Sequence, residues 1–298
     1  MRYRPFAQTG IAVSVLSLEL NGENDRRKPG DWRDLVHAAF EEGVNAFEIA
    51  SPSPALMTGF AEGVEAVKRS LLFIGLRADP DVEGQRFQAW VRQVIAEGRL
   101  DYVDLLVLNA GATRAEETLA AAILLKEDRV AHRLAVAGDG AGELVEEDVA
   151  SGLFDAIISP FSLLSGWRDR NLVRQSMEQQ MGVIGRDPCP QALESLMESA
   201  QQKAKPGWFK KAPPLAGAGT YAFLGTTRGW SAEQICLAYA LTEPALASVQ
   251  MAAADRKHLA QLASVTDRDL PSAVSAQIEM ARFSADEEAR KGAARRRA

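Results

Sequence analysis

The chain is poor in the side chains that most often cross-link a protein or bind a metal. It has two cysteines, Cys189 and Cys236, and three histidines in 298 residues. Two thiols cannot build a disulfide framework, and their separation does not match the CxxC spacing of a redox or zinc motif. We therefore expect no metal site, and a fold that is held by its apolar core.

Long apolar runs and an excess of basic residues are also missing. No apolar run reaches the length of about 18 residues that a membrane-spanning helix needs, and the opening MRYRPFAQTG has no apolar segment typical of a signal peptide. The formal net charge is −6, and the basic cluster Arg295–Arg297 lies at the end of the sequence. We expect a cytoplasmic protein that does not bind nucleic acid and does not insert into a membrane.

Short apolar segments alternate with helical patterns along most of the chain. A helix from Asp31 to Glu42, for example, is followed at once by an apolar segment that starts at Val44. Eight segments are predicted strands: residues 13–18, 44–49, 71–76, 102–108, 134–137, 154–159, 181–185 and 246–251. Apolar strands joined by helical crossovers predict a parallel sheet covered by helices.

Eight strand–helix units favour an α/β fold of the closed (β/α)8 TIM-barrel class. The competing architecture, a doubly wound open sheet, predicts a GxGxxG turn after the first strand, and the sequence has none there. We expect a single barrel domain over residues 1–280 with a lid loop at about 202–229, followed by a polar, frayed tail over residues 281–298. Trp208 and Phe209 in the lid either dock a partner or ligand, or pack on the barrel rim.

Several segments together resemble the aldo-keto reductase family over roughly residues 1–270. The resemblance lies in the opening MRYRPFAQTGIAVSVLSLEL, in AAFEEGVNAFEIA, in RLDYVDLLVLN, in FDAIISPFSLL, in GVIGRDPCPQAL, and in the segment that starts at Trp230. These segments occur in the family's order along the chain. The resemblance implies an aldo-keto reductase barrel, in which carbonyl reduction uses a nicotinamide cofactor and a Tyr, Lys, Asp and His tetrad.

All four tetrad positions depart from the family pattern. The Asp falls on Glu48, the Tyr on Ser53, the Lys on Arg77 and the His on Asn109. A serine hydroxyl is too weak an acid to replace a phenol, arginine stays protonated, and asparagine does not titrate. We interpret Glu48 and Arg77 as a structural ion pair at the barrel mouth.

The cofactor positions implied by the resemblance are also altered. Glu19 replaces a glycine beside the first strand, while Phe161, Arg186, Asp255 and Arg256 remain available to a dinucleotide. Asp255 would repel a 2′-phosphate and accept a hydrogen bond from a free ribose hydroxyl. The sequence therefore favours NAD(H) over NADP(H), although Asp255 is equally suited to cap the last barrel helix.

The family resemblance, together with the replacement of the tetrad residues, leads to three hypotheses about function. The first is a catalytically inactive regulator or binding platform that senses NAD(H) and acts on protein partners, with bacterial division or signalling proteins as the candidates. The second is an oxidoreductase with an altered active site, in which Glu48 serves as the acid. The third is a lyase or isomerase, which needs a second titrating group that the sequence does not identify.

Overall fold

The chain folds into a closed barrel of eight parallel strands, as predicted from the sequence. The computed structural model describes residues 1–79, 81–138, 146–193 and 221–297. A two-stranded antiparallel hairpin precedes the barrel, and each barrel strand pairs with the next, the last closing on the first. The hairpin strands are β1 (Tyr3–Pro5) and β2 (Ala12–Ser14). The barrel strands are β3 (Leu16–Asn21), β4 (Ala46–Ser51), β5 (Phe73–Arg77), β6 (Leu105–Asn109), β7 (Leu134–Ala137), β8 (Ala156–Pro160), β9 (Gly182–Arg186) and β10 (Ser248–Met251).

Helices connect the strands and cover the barrel. Those in the described residues are α1 (Pro29–Glu41), α2 (Pro54–Val64), α3 (Gln85–Glu97), α4 (Glu116–Glu127), α5 (Glu146–Ala150), α6 (Trp167–Glu178), α7 (Phe223–Thr226), α8 (Ala232–Ala240), α9 (Arg256–Ala263) and α10 (Ser272–Arg297). Three short 3₁₀ turns, Arg69–Leu71, Ala112–Arg114 and Ser264–Asp267, complete the connections. Within the described ranges, no helix is both long enough and apolar enough to cross a membrane.

Alternate strand residues pack into two separate apolar clusters. One cluster lies inside the barrel and combines alanines, such as Ala46 and Ala135, with larger side chains such as Phe73. The other lies between the strands and the helices and is built from larger side chains, such as Leu18 and Ile74. This period of two is what a sheet buried on both faces requires.

The hairpin closes the bottom of the barrel. Phe6, fully buried, packs against Phe73 with 4.6 Å between ring centroids. A β-carbon at Gly182 would lie 2.4 Å from the Phe6 ring, so the seventh barrel strand begins with the residue that leaves room for this plug. The predicted single strand over residues 13–18 is wrong, because the chain leaves the hairpin at Ser14 and enters the barrel at Leu16.

The lid and the tail are only partly covered by the structure. Residues 202–220 of the predicted lid, including Trp208 and Phe209, lie outside the described residues, and residues 223–226 form α7. Helix α10 runs without a break across the predicted boundary at residue 280, and Ala281 beyond it is buried. The division into a barrel over 1–280 and a tail over 281–298 stays a prediction.

Candidate functional site at the barrel mouth

Two adjoining clefts open at the carboxyl ends of the barrel strands. The larger has a volume of about 530 Å³ and the smaller about 310 Å³. Glu19 from β3 and Arg186 from β9 line both clefts and therefore form their common wall. Because this end of a (β/α)8 barrel is where ligands bind, the pair of clefts is the candidate site.

A buried ion pair lies at the floor of the mouth. The Arg77 Nε donates to Glu48 Oε1 at 2.8 Å, and Arg77 Nη2 contacts the same oxygen. The Glu48 side chain is 4% exposed and that of Arg77 is 12% exposed. Gln250 Nε2 donates to the second oxygen, Glu48 Oε2. Both carboxylate oxygens are thus occupied by fixed donors, and the ion pair expected from the sequence is present.

Ser53 serves as a helix cap. It precedes α2 in an extended conformation, its Oγ accepts a hydrogen bond from the Leu56 N–H at 3.3 Å, and Pro54 occupies the first helical position. These are the usual features of a helix start. Asn109 ends β6 and lines the larger cleft, where it can donate and accept hydrogen bonds but cannot titrate.

Glu19 is a mouth residue whose pKa is shifted by its surroundings. Burial raises the pKa of Glu19 above its usual 4.5, and the nearby Glu48 carboxylate raises it further, while Arg77 and Arg186 act in the opposite direction. Burial likewise raises the pKa of Asp187, with Arg186 opposing. A carboxyl of this kind that faces a cleft holds its proton to a higher pH than an exposed one.

Carboxylates outnumber cations on the described walls of the two clefts. Arg186 is one of two arginines there, and its Nη1 donates to the carbonyl of Gly138 at 3.0 Å. The other arginine, Arg77, is bound to Glu48. The carboxylates are Glu19, Glu23, Asp79, Asp81, Asp187 and Glu233. This surplus opposes ligands that carry additional negative charge.

Phe161 lies away from the open surface of the clefts. It follows β8, is 1% exposed, and stacks on Tyr239 with 6.5 Å between ring centroids. Arg170 lies over both rings. The aromatic face that the sequence offered to a dinucleotide is therefore already covered by protein.

Asp255 and Arg256 lie at the start of α9. The Asp255 Oδ1 accepts a hydrogen bond from the His258 N–H at 2.8 Å, which makes Asp255 the helix cap, as the alternative interpretation proposed. Arg256 is exposed and paired with Glu41 of α1. The remaining histidines, His37 on the exposed face of α1 and His132 stacked on Tyr102, do not line either cleft.

Two polar atoms below the ion pair lack a hydrogen-bond partner within the part of the chain that the structure describes. They are Ser17 Oγ and Gln250 Oε1. Their residues face each other in the register of β3 and β10 and both line a void of about 10 Å³ inside the barrel. A void of this size holds about one water molecule.

Sequence patterns did not identify Glu19 and Gln250 as site residues. In the sequence, Glu19 stands out only as the replacement of a glycine beside the first strand, and Gln250 is one polar residue in the last predicted strand. The signal for both is the alternation of their strands: each belongs to a polar set of every second residue that faces into the barrel, while the intervening residues are apolar. A buried polar side chain in such a set needs a partner.

Comparison with known proteins bears on the fold. No family model and no curated protein matches the chain. Among solved structures, it is similar to the holo form of an aldo-keto reductase from Bacillus halodurans, with a TM-score of 0.70 and 16% identity. The match covers 93% of this chain and 95% of that one. The chain has the aldo-keto reductase fold. At this identity the likeness concerns the fold, and function has to be argued from the residues of the site.

Proposed function

We propose that this aldo-keto reductase-like barrel is catalytically inactive and works as a regulator or binding platform. It senses NAD(H) by binding it at the barrel mouth, and this binding changes its interaction with protein partners. The candidate partners are bacterial division or signalling proteins. The observation that carries the proposal is the structural use of the tetrad positions. Ser53 caps α2, and Glu48 is held between Arg77 and Gln250.

Carbonyl reduction needs a group that delivers a proton to the developing alkoxide. The Ser53 hydroxyl is a much weaker acid than a phenol, and its oxygen is engaged with the backbone of α2. Arg77 stays protonated at all relevant pH values. Asn109 offers hydrogen bonds without a transferable proton. The residues present therefore do not fit a hydride-transfer site.

The shape of the mouth supports binding of an elongated ligand. The two clefts join at Glu19 and Arg186, so a ligand that spans them passes a guanidinium at the junction. Arg186 is suited to the pyrophosphate of a dinucleotide. The surplus of carboxylates, together with Asp255 at the start of α9, disfavours the additional 2′-phosphate of NADP(H).

The first test is a titration of the full-length protein with NADH and with NADPH, followed by calorimetry. We expect NADH to bind more tightly than NADPH, and a panel of carbonyl compounds to give no turnover with either. Asp255→Asn removes the charge and keeps a residue that caps helices well. It should improve NADPH binding relative to NADH binding.

Arg186→Gln should weaken binding of both dinucleotides, whereas Arg92→Gln, on the exposed surface of α3, is the matched control and should weaken neither. Failure of NADH to bind would remove the sensing part of the proposal and leave the barrel as a scaffold. Steady turnover of a carbonyl by the unmodified protein would overturn the proposal as a whole.

The candidate partner surfaces are the lid over residues 202–229 and the C-terminal segment. Their test is a comparison of partner capture by the full-length protein, by a variant with residues 204–218 replaced by a short Gly/Ser linker, and by a variant lacking residues 286–298. The truncation keeps the buried Val274, Ile278 and Ala281 of α10 in place. Unchanged capture by both variants would exclude these surfaces.

A second candidate function, an oxidoreductase with an altered active site, is favoured by the raised pKa of Glu19. A carboxyl that retains its proton beside a cleft can act as a general acid. This alternative requires turnover that Glu19→Gln or Glu48→Gln abolishes. Glu65→Gln, an exposed control at the C-cap of α2, should leave that turnover intact.

A further inference from the structure

We propose that a third cleft, separate from the two at the barrel mouth, binds a small aromatic phosphate of the nucleoside monophosphate class. The cleft has a volume of about 410 Å³, which lies within the range of small-molecule sites. Its described walls are the segment after β8, the first two turns of α6, Tyr221, and Arg282 of α10. None of these residues lines either mouth cleft, so the proposal is independent of the ligand that the mouth binds.

One face of α6 supplies most of the chemistry of the third cleft. Four side chains of this helix line it: Trp167, Arg170, Asn171 and Arg174. Their offsets of three, four and seven residues place them on the same side of the helix. The buried residues of α6 are Val173 and Ser176, so the lining face is not the one that packs the helix on the barrel.

Arg170 brings a fixed positive charge to the cleft. Its Nε donates to the Ser165 carbonyl at 3.0 Å, its Nη2 donates to the Tyr239 hydroxyl, and its guanidinium lies over the rings of Phe161 and Tyr239. These partners are all neutral, and Arg170 forms no ion pair with any described residue. Its Nη1 makes no hydrogen bond within the same residues and is not buried, so it is available to a ligand.

Two further arginines increase the positive potential of this cleft. Arg174 Nη2 lies 3.1 Å from Glu243 Oε2, and Arg282 Nη1 lies 3.0 Å from Glu279 Oε1. Neither carboxylate lines the cleft, and no other carboxylate is found among its described lining residues. The two mouth clefts, by contrast, are lined by several carboxylates. The third cleft therefore favours an anion, and guanidinium groups are well suited to the oxygens of a phosphate.

Trp167 provides a flat apolar surface next to this charge. Its side chain is 78% exposed, and its indole makes no aromatic or cation contact with the described residues. Residues three apart on a helix have β-carbons about 5–6 Å from each other, so Trp167 and Arg170 are neighbours. A nucleobase that stacks on the indole removes apolar surface of both rings from water. Phosphate binding by Arg170 and stacking on Trp167 together select a nucleoside monophosphate, to which Asn171 offers further hydrogen bonds.

The test is a calorimetric titration of the full-length protein with AMP, with adenosine and with inorganic phosphate. We expect AMP to bind more tightly than either of the other two, because it alone engages both the arginine and the indole. Its affinity should fall as the salt concentration rises. Equal affinities for AMP and adenosine would overturn the proposal, since the phosphate would then contribute nothing, and so would a failure of AMP to bind.

Single variants assign the two parts of the ligand. Trp167→Ala should weaken AMP binding about tenfold or more through the loss of stacking, and Arg170→Gln should weaken it to a similar degree through the loss of charged hydrogen bonds. Only Trp167→Ala should also weaken adenosine binding. Arg92→Gln, on the exposed surface of α3, is the matched control. Because Trp167 is largely exposed, its replacement leaves the core intact and keeps the test decisive if Arg170→Gln disturbs the packing of Tyr239.

A third variant separates this cleft from the barrel mouth. Arg186→Gln, which alters the wall between the two mouth clefts, should leave AMP binding unchanged. Loss of AMP binding in Arg186→Gln together with unchanged binding in Trp167→Ala would place AMP at the mouth and overturn the proposal. The outcome of the NADH titration does not affect this result, since the two sites are tested by different variants.

Discussion

Arg77 and Glu48 form an ion pair across neighbouring barrel strands, with Arg77 Nε 2.8 Å from Glu48 Oε1. The two side chains are 12% and 4% exposed, and Gln250 donates to the remaining carboxylate oxygen. A charge that is removed from water to this degree is tolerated because each of its oxygens has a fixed donor. The pair is therefore a structural element of the barrel mouth, although it occupies positions that the family resemblance associates with proton transfer.

Replacing one residue of the Glu48–Arg77 pair should lower the free energy of unfolding far more than replacing both. Arg77→Met leaves the Glu48 carboxylate buried without its counter-charge, and we expect it to lower the free energy of unfolding by about 3–5 kcal/mol. The double variant Glu48→Leu/Arg77→Met removes both charges and should recover most of this loss. Urea unfolding followed by circular dichroism measures both values.

The control for this prediction is an exposed ion pair. Arg92 Nη2 lies 2.6 Å from Asp128 Oδ2, and the two side chains are 48% and 57% exposed. Arg92→Met should therefore change the free energy of unfolding by less than about 1 kcal/mol. Equal losses for Arg77→Met and Arg92→Met would show that the buried pair does not stabilise the mouth.

The barrel could be predicted from the sequence because its strands are buried on both faces. Each strand is a short apolar run, and most runs are followed by a helical pattern, so the order of the units is visible without any long-range information. The strand over residues 134–137 was predicted with its observed bounds. Other strands shifted by one to three residues, because apolar residues that flank a strand also pack into the core.

Helix α6 was not predicted, since it has little of the apolar periodicity that reveals a helix. Only Val173 and Ser176 are buried among its twelve residues, and Trp167 at its start is 78% exposed.

The hairpin β1–β2 was not predicted for a different reason. Residues on either side of Val15 are equally apolar, and the change from antiparallel to parallel pairing depends on partners such as Asn45, whose Oδ1 accepts from the Ser14 N–H at 2.8 Å.

The candidate site was predictable in part. Glu48 lies within β4 and Arg77 ends the neighbouring strand β5, so their pairing follows from the order of the strands in the barrel. The contact between Gln250 and Glu48 spans 202 positions and exists only because β10 closes on β3. The burial of Phe161 against Tyr239 likewise depends on how α8 packs, which no local pattern contains.

Ser53 should behave as a helix cap when it is replaced. Ser53→Ala removes the acceptor for the Leu56 N–H and should lower the free energy of unfolding by about 1 kcal/mol. Ser231→Ala provides a matched comparison, since Ser231 Oγ accepts from the Gln234 N–H at 3.1 Å at the start of α8. Thermal unfolding of the two variants should show losses of similar size, and an unchanged melting temperature for Ser53→Ala would argue against the cap.

Titration of Glu19 should make the free energy of unfolding depend on pH at values above 4.5, the usual pKa of a glutamate. Its pKa is raised in the folded state, chiefly by burial, so the folded protein holds this proton more tightly than the unfolded chain. The resulting stabilisation is fully present below pH 4.5 and is lost as the pH rises through the folded-state pKa. Glu19→Gln should therefore match the unmodified protein at low pH and exceed its stability at pH 8.

Urea unfolding across this pH range tests the prediction. Asp187, whose pKa is raised from its usual 3.8, acts in the same direction from a lower starting pH, so Asp187→Asn is measured alongside. Glu65→Gln, at an exposed position, controls for the loss of one negative charge. A stability difference between Glu19→Gln and the unmodified protein that does not vary with pH would contradict the assigned titration.

Gly59 marks the closest approach of α1 and α2. A β-carbon at this position would lie 2.2 Å from the carbonyl oxygen of Pro29 and 2.6 Å from Cβ of Trp32. Because backbone cannot yield as a flexible side chain does, Gly59→Ala should separate the helices and cost about 1–3 kcal/mol. Gly30→Ala in α1 is the control, since the nearest atom there is Arg33 Nη2 at 3.8 Å. It should be neutral or stabilise the protein by up to about 1 kcal/mol through the lower entropy of the unfolded chain.

Urea unfolding of both variants tests this prediction. A midpoint that falls for Gly59→Ala alone would establish that the helix contact, and not the glycine-to-alanine change itself, causes the loss of stability. Equal midpoints would show that α1 and α2 accommodate the methyl group.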